Sequence, residues 1–126
     1  MRITGPDSFR VLHIDSDFPV LTTADDVNDI LGATWGENIA LIAIPVAQLD
    51  PEFFRLSSRL AGDILQKFVN YRARVAIIGD ISAHVAQSDA LRDFVWESNR
   101  GEQVWFLDDE AALDLKIEER QRRRLD

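Results

Sequence analysis

The chain has 126 residues, of which 46% are hydrophobic and 29% charged, a formal net charge of -8 and no cysteine. That length suits a single core burying roughly two thirds of the surface the unfolded chain exposes, while the missing cysteines exclude disulfides, thiolate nucleophiles and thiolate metal sites. A pI near 4.7 sets the chain against phosphate backbones, and no apolar run approaches the ~20 residues of a membrane span. The start, MRITGPDSFR, has no apolar signal core, so the expected home is a reducing cytoplasm, without nucleic-acid or membrane partners.

Phe9 to Ile14 reads as a strand nearer the sheet edge than its centre, since Arg10 and His13 interrupt its apolar character. Pro19 to Leu21 is a candidate second strand. Thr22 or Thr23 then caps a short helix with Asp25 and Asp26 in its first turn and Val27, Ile30 and Leu31 inward. Ile39 to Ile44 is apolar at every position, which predicts a central strand covered on both faces and ended by Pro45.

Asp50 and Pro51 make a good helix start, and the pattern predicts one long amphipathic helix from there to Asn70. Phe53, Phe54, Leu60, Ala61, Ile64, Leu65, Phe68 and Val69 fall on its inner half, with Leu56 the large apolar exception outside. Asp63 is spaced to pair with Arg59 and Lys67, and Gly62, at the margin of the apolar face, predicts close approach of a neighbouring backbone. Val75 to Ile78 is a second wholly apolar strand. A loop containing His84 leads to Ser88 as the cap of a helix with Leu91, Phe94 and Val95 inward, closed by an αL stop at Gly101. Val104 to Leu107 is the last core strand, and Asp108 or Asp109 caps the final helix. The reading is one α/β domain over residues 1–118, helices on both faces of a mostly parallel sheet of four to five strands, followed by a basic tail, 119–126.

Three blocks, LAGDILQKFVNYRARVAIIGD, LRDFVWESNRG and VWFLDDEAAL, together resemble the bacterial family catalogued as domain of unknown function 4180, which implies a fold but no activity. The order of elements is also similar in layout to the STAS fold, whose anti-sigma-factor antagonists carry a phosphorylatable hydroxyl at the start of the helix after a central strand. The matching turn here, Gln48-Leu49-Asp50-Pro51-Glu52, has none, and Ser57 and Ser58 fall inside the expected helix.

No glycine-rich phosphate loop or G-x-S-x-G elbow is present, and His13 and His84 stand in no metal-ligand spacing. No catalytic residue, cofactor or metal ligand is therefore assigned. Open parallel sheets bind ligands beyond their strands' carboxyl ends, where this chain would set Asp15, Asp17, Asp50, Asp80, Asp108 and Asp109; most read as caps, and Asp80 is the one without an obvious capping role. Trp96, flanked by Arg92 and Arg100 at i-4 and i+4, has the composition of an interface hot spot. Asp63, Gln66, Lys67 and Asn70 share one polar arc of the long helix, which Glu97 and Asn99 join if both helices lie on one side of the sheet. These residues are the expected binding site of a non-catalytic regulatory or interaction module with an unidentified protein partner, self-association being left open. The alternative is a small-ligand or metal-dependent enzyme on the acidic rim.

Overall fold

The computed structural model describes residues 1–125. In chain order its elements are β1 (Arg2–Thr4), β2 (Arg10–His13), α1 (Val27–Thr34), β3 (Ile39–Pro45), α2 (Leu60–Asn70), β4 (Val75–Ile78), α3 (Ser82–Ala86), α4 (Asp89–Arg100), β5 (Val104–Leu107) and α5 (Glu110–Leu125). The sheet has the order β1-β2-β3-β4-β5, with β1 antiparallel to β2 and every other pair parallel. This is the expected α/β sandwich, with β3 at its centre.

Each parallel strand is added beside its predecessor, and such crossovers share one hand. Consequently α1 to α4 all arrive on one face. Ile42, Ile44, Val75, Ile77 and Phe106 point into that layer, where they meet Val27 and Ile30 of α1, Ile64, Leu65 and Phe68 of α2, and Leu91 of α4. The alternate residues Leu41, Ala43, Ala76 and Trp105 point the other way, onto Leu113 and Ile117 of α5. One helix thus covers the whole second face. It continues from Glu110 to Leu125 with no break at residue 118, and Arg120 is buried with its guanidinium 5.2 Å from the Phe9 ring and 3.8 Å from Glu102. Residue 126, the end of the expected basic tail, lies outside the described residues.

The long helix begins nine residues late, at Leu60 rather than Pro51. Pro51–Phe54 and Leu56–Ser58 are separate 3₁₀ turns, and Arg59 takes a left-handed φ of 68° before α2 starts at Leu60. A straight helix would put Leu56 about 120° from the centre of the apolar face; in the broken form Leu56 packs on the same core as the Phe53 and Phe54 rings. Ser58 holds the break, its hydroxyl donating to the Glu52 carbonyl at 2.7 Å and accepting from the Leu60 N–H at 3.2 Å. Ser57 and Ser58 accordingly precede α2 rather than lie within it.

Other expectations also change. A Cβ placed on Gly62 meets nothing within 4 Å, so no backbone approaches it. Val69 is 41% exposed and does not face the sheet. Pro19 to Leu21 forms no strand; Leu21 makes a single bridge to Leu49, and the buried Gln48 amide ties this segment down by donating to the Phe18 carbonyl. His84 belongs to α3, not to a loop, and Gly101 ends α4 in an extended conformation, φ -95°, rather than αL. The strand β1 has no sequence signal, because all three of its residues are exposed.

Both edges of the sheet are secured by side chains. At the β1 edge, Thr4 Oγ1 and His13 Nε2 share a hydrogen bond of 2.7 Å, and His13 Nδ1 lies 3.8 Å from Glu110 of α5. Burial, and then the nearby Arg2 charge, hold this imidazole below its ordinary 6.5, although Glu110 and Asp114 act in the opposite sense. At the β5 edge, the Phe106 N–H donates to Asn99 Oδ1 at 2.7 Å while Asn99 Nδ2 donates to the Phe106 carbonyl at 3.1 Å. One side-chain amide therefore replaces the missing neighbour strand.

Three measurements check this account. Gly62→Ala should raise the unfolding free energy by about 1 kcal/mol, read as a higher denaturation midpoint at unchanged m-value, because only helix propensity is altered. Asn99→Ala should cost about 1–3 kcal/mol by stranding two backbone groups of β5, and Asn99→Asp, which still accepts but no longer donates, should fall between; equal stability of all three would remove the edge role. For His13, NMR should place the imidazole midpoint below 6.5. Its stabilising effect is then present above that pH and is lost as pH falls through the folded midpoint, so a midpoint above 6.5 would contradict the burial argument.

Candidate functional site

At the carboxyl ends of the strands, Asp15, Asp50, Asp80 and Asp109 are held by main-chain and terminal donors. Asp50 accepts from the Glu52 N–H at 2.9 Å, Asp80 from the Ser82 N–H at 2.8 Å and Asp109 from the Ala112 N–H at 2.8 Å. Asp15 takes the amino-terminal ammonium at 2.9 Å, and this bond holds its carboxyl below the usual range, as the Ser82 N–H does for Asp80. Asp80 is thus a turn cap ahead of α3. Among the described residues no three His, Asp or Glu side chains converge as a cation site.

A groove of about 440 Å³ does open at this end, between the broken turns before α2 and the start of α4. Phe54 and His84 stack in it with ring centroids 4.5 Å apart and planes 17° off parallel, with Ser57 and Gln87 beside them. Its one cation, Arg55, is already engaged, since both Nε and Nη2 donate to Glu52 Oε2 at 2.8 and 2.6 Å.

The residues expected to form a binding arc are brought onto one face but are divided by local bonds. Helices α2 and α4 do lie on the same side of the sheet. Gln66 Nε2 donates to Asn70 Oδ1 at 2.8 Å, so the two amides satisfy each other one turn apart. Lys67 reaches Asp25 before α1 at 3.3 Å instead of Asp63, and Asp63 lines a separate shallow groove with Asp50 and Glu52. On α4, Trp96 is 60% exposed under the Arg100 guanidinium at 4.5 Å, whereas Arg92 turns to Asp89 and Asp93. Glu97 lies 3.6 Å from Arg100, and Asn99 is engaged at the β5 edge.

The larger opening is at the opposite end of the sheet, where sequence reasoning assigned nothing. Trp35, directly after α1, is 88% exposed, and Tyr71, directly after α2, is 66% exposed; both border a groove of about 620 Å³ floored by Leu31, Gly32 and Ala73. A second hollow of about 220 Å³, with Asn38, Arg72 and Arg74, shares Thr34, Tyr71 and Ala73 with it. The two form one continuous surface.

Backbone geometry places these side chains. Trp35 leaves α1 in extended conformation, and left-handed turns at Gly36 (φ 76°) and Asn38 (φ 53°) return the chain to β3. α2 ends in a Schellman pair, with the Ala73 N–H on the Phe68 carbonyl and the Arg72 N–H on the Val69 carbonyl, both at 2.9 Å. The left-handed position of that motif, usually glycine, is Arg72 at φ 57°. The αL conformation costs a non-glycine residue about 1–2 kcal/mol, partly offset by the cation's place at a helix carboxyl end, about 0.3–1 kcal/mol. Spacing did not mark this surface: Trp35 stands at i+4 from Leu31 and i+8 from Val27, in line with the apolar stripe of α1, and only the glycine turn after it hints that the ring leaves the helix.

A family model described as a domain of unknown function, DUF4180, matches residues 7–117. No curated protein and no solved structure matches the chain. The matched span holds all four parallel strands, α1 to α4, the first half of α5 and both grooves, and the chain belongs to the DUF4180 family.

Proposed function

We propose that this protein is a non-catalytic interaction module of the cytoplasm, and that its partner docks on the groove between the ends of α1 and α2. The observation that carries the reading is the pair Trp35 and Tyr71, 88% and 66% exposed on one opening. An aromatic side chain of this size buries about 150–250 Å² when fully covered, a gross gain of about 4–6 kcal/mol each at about 25 cal/mol per Å², from which the cost of association is subtracted. Trp, Tyr and Arg are also the residues that dominate interface energetics. No His, Asp, Glu or Lys among the described residues lines this opening, which favours binding over acid–base chemistry. Asn70, which precedes Tyr71 in the chain, and Gln66, one turn earlier, would extend the proposed contact along α2 beyond the groove itself.

A small-ligand reading is favoured by the stacked Phe54 and His84 in the carboxyl-end groove. The two readings separate on one double variant. Trp35→Ala with Tyr71→Ala should melt like the parent, because neither ring is in the core, and should lose the proteins that the parent retains in affinity capture from its native cytoplasm. Retention of the same proteins by both would end the groove reading.

A further inference from the structure

We infer that the occupant of the amino-end groove is an acidic peptide segment of a partner protein, carrying an aromatic or branched apolar anchor that seats between Trp35 and Tyr71. This rests on the reading of the groove as a docking surface and adds the chemistry of what docks.

The chain carries 22 Asp and Glu against 14 Lys and Arg, so most of its surface repels an acidic ligand. Among the described residues, however, no carboxylate lines either the larger groove or the hollow that continues it, and the hollow contributes Arg72 and Arg74. Arg74 has only a loose contact with Glu102, at 3.9 Å. Arg72 is exposed and has no carboxylate partner among the described residues. It also occupies the left-handed position of the α2 stop, where glycine is the easier residue. The helix dipole returns to a cation less than the left-handed conformation costs a non-glycine residue, so folding favours glycine there, whereas a cation held beside Tyr71 at the mouth of an apolar groove complements a carboxylate next to an apolar anchor.

The extent of the basic surface decides between acidic ligands. A nucleic-acid strand continues its phosphates beyond these two arginines onto a body of net charge -8. A short peptide confines its carboxylates to the groove mouth, and the surrounding negative field then fixes its register by repelling other placements.

The test is selection of phage-displayed random dodecapeptides on the parent protein after depletion on the Trp35→Ala, Tyr71→Ala variant. Enriched peptides should pair Asp or Glu with a nearby aromatic or branched residue. A synthetic representative should lose about tenfold in affinity on Trp35→Ala and again on Arg72→Glu, and should weaken as salt rises. Arg72→Gly should melt no lower than the parent yet bind about tenfold more weakly, separating recognition from folding. Peptides that depend on Trp35 but show no acidic enrichment and no response at Arg72 overturn the inference and leave the groove reading standing. If no peptide depends on Trp35, both fall. Tighter binding of a fluorescein-labelled oligouridylate than of any peptide, or concentration-dependent dimerisation of the parent that Trp35→Ala abolishes, assigns the groove to RNA or to a second copy and overturns the acidic-peptide inference.

Discussion

The side chains of β3 from Leu41 to Ile44 enter two separate apolar layers in alternation, and this two-sided burial is the constraint on which the molecule depends. Ile42 and Ile44 face the layer of four helices, while Leu41 and Ala43 face α5. The same alternation in β4 and β5 fixes the parallel register, because a one-residue slip would exchange the contents of the two layers. Trp105 and Phe106, adjacent in β5, show the division most clearly: the indole packs toward α5 with its Nε1 donating to the Gly101 carbonyl at 2.9 Å, and the phenyl ring meets Phe94 of α4.

Sequential strand order has a second consequence. With all crossovers on one face, the sheet has no point where the winding reverses, and so lacks the crevice in which doubly wound sheets hold their ligands. Two of its recesses arise instead where connections diverge. At the carboxyl end the two 3₁₀ turns before α2 stand off from α3 and create one. At the amino end the paired exits of α1 and α2 create another, bordered by the tryptophan and tyrosine that their final turns cannot bury.

The charged and polar residues divide along the same lines. At the carboxyl end, carboxylates are consumed by caps and by the amino terminus, and the one arginine in the recess is chelated by Glu52. At the amino end, arginines remain in a setting without lining carboxylates. The acidic body and its small basic opening are therefore different in kind, which net charge alone conceals.

The sequence by itself determined the strands β2 to β5, the caps at Asp50, Ser88 and Asp109, and the family, because apolar runs and capping residues are local signals readable from spacing. Tertiary packing decided what local periodicity cannot hold. Leu56 had to reach the core shared by Phe53 and Phe54, so the expected helix broke; β1 formed only because β2 offered an edge; Asn99 and Gln66, read as free polar groups, were taken up by Phe106 and Asn70. The amino-end groove was not legible in spacing, because Trp35 continues the apolar stripe of α1 and reads as a core residue. Its other members, Tyr71, Arg72 and Arg74, are ordinary in sequence, and they acquire meaning only when parallel winding brings the ends of α1 and α2 to the same corner of the sheet.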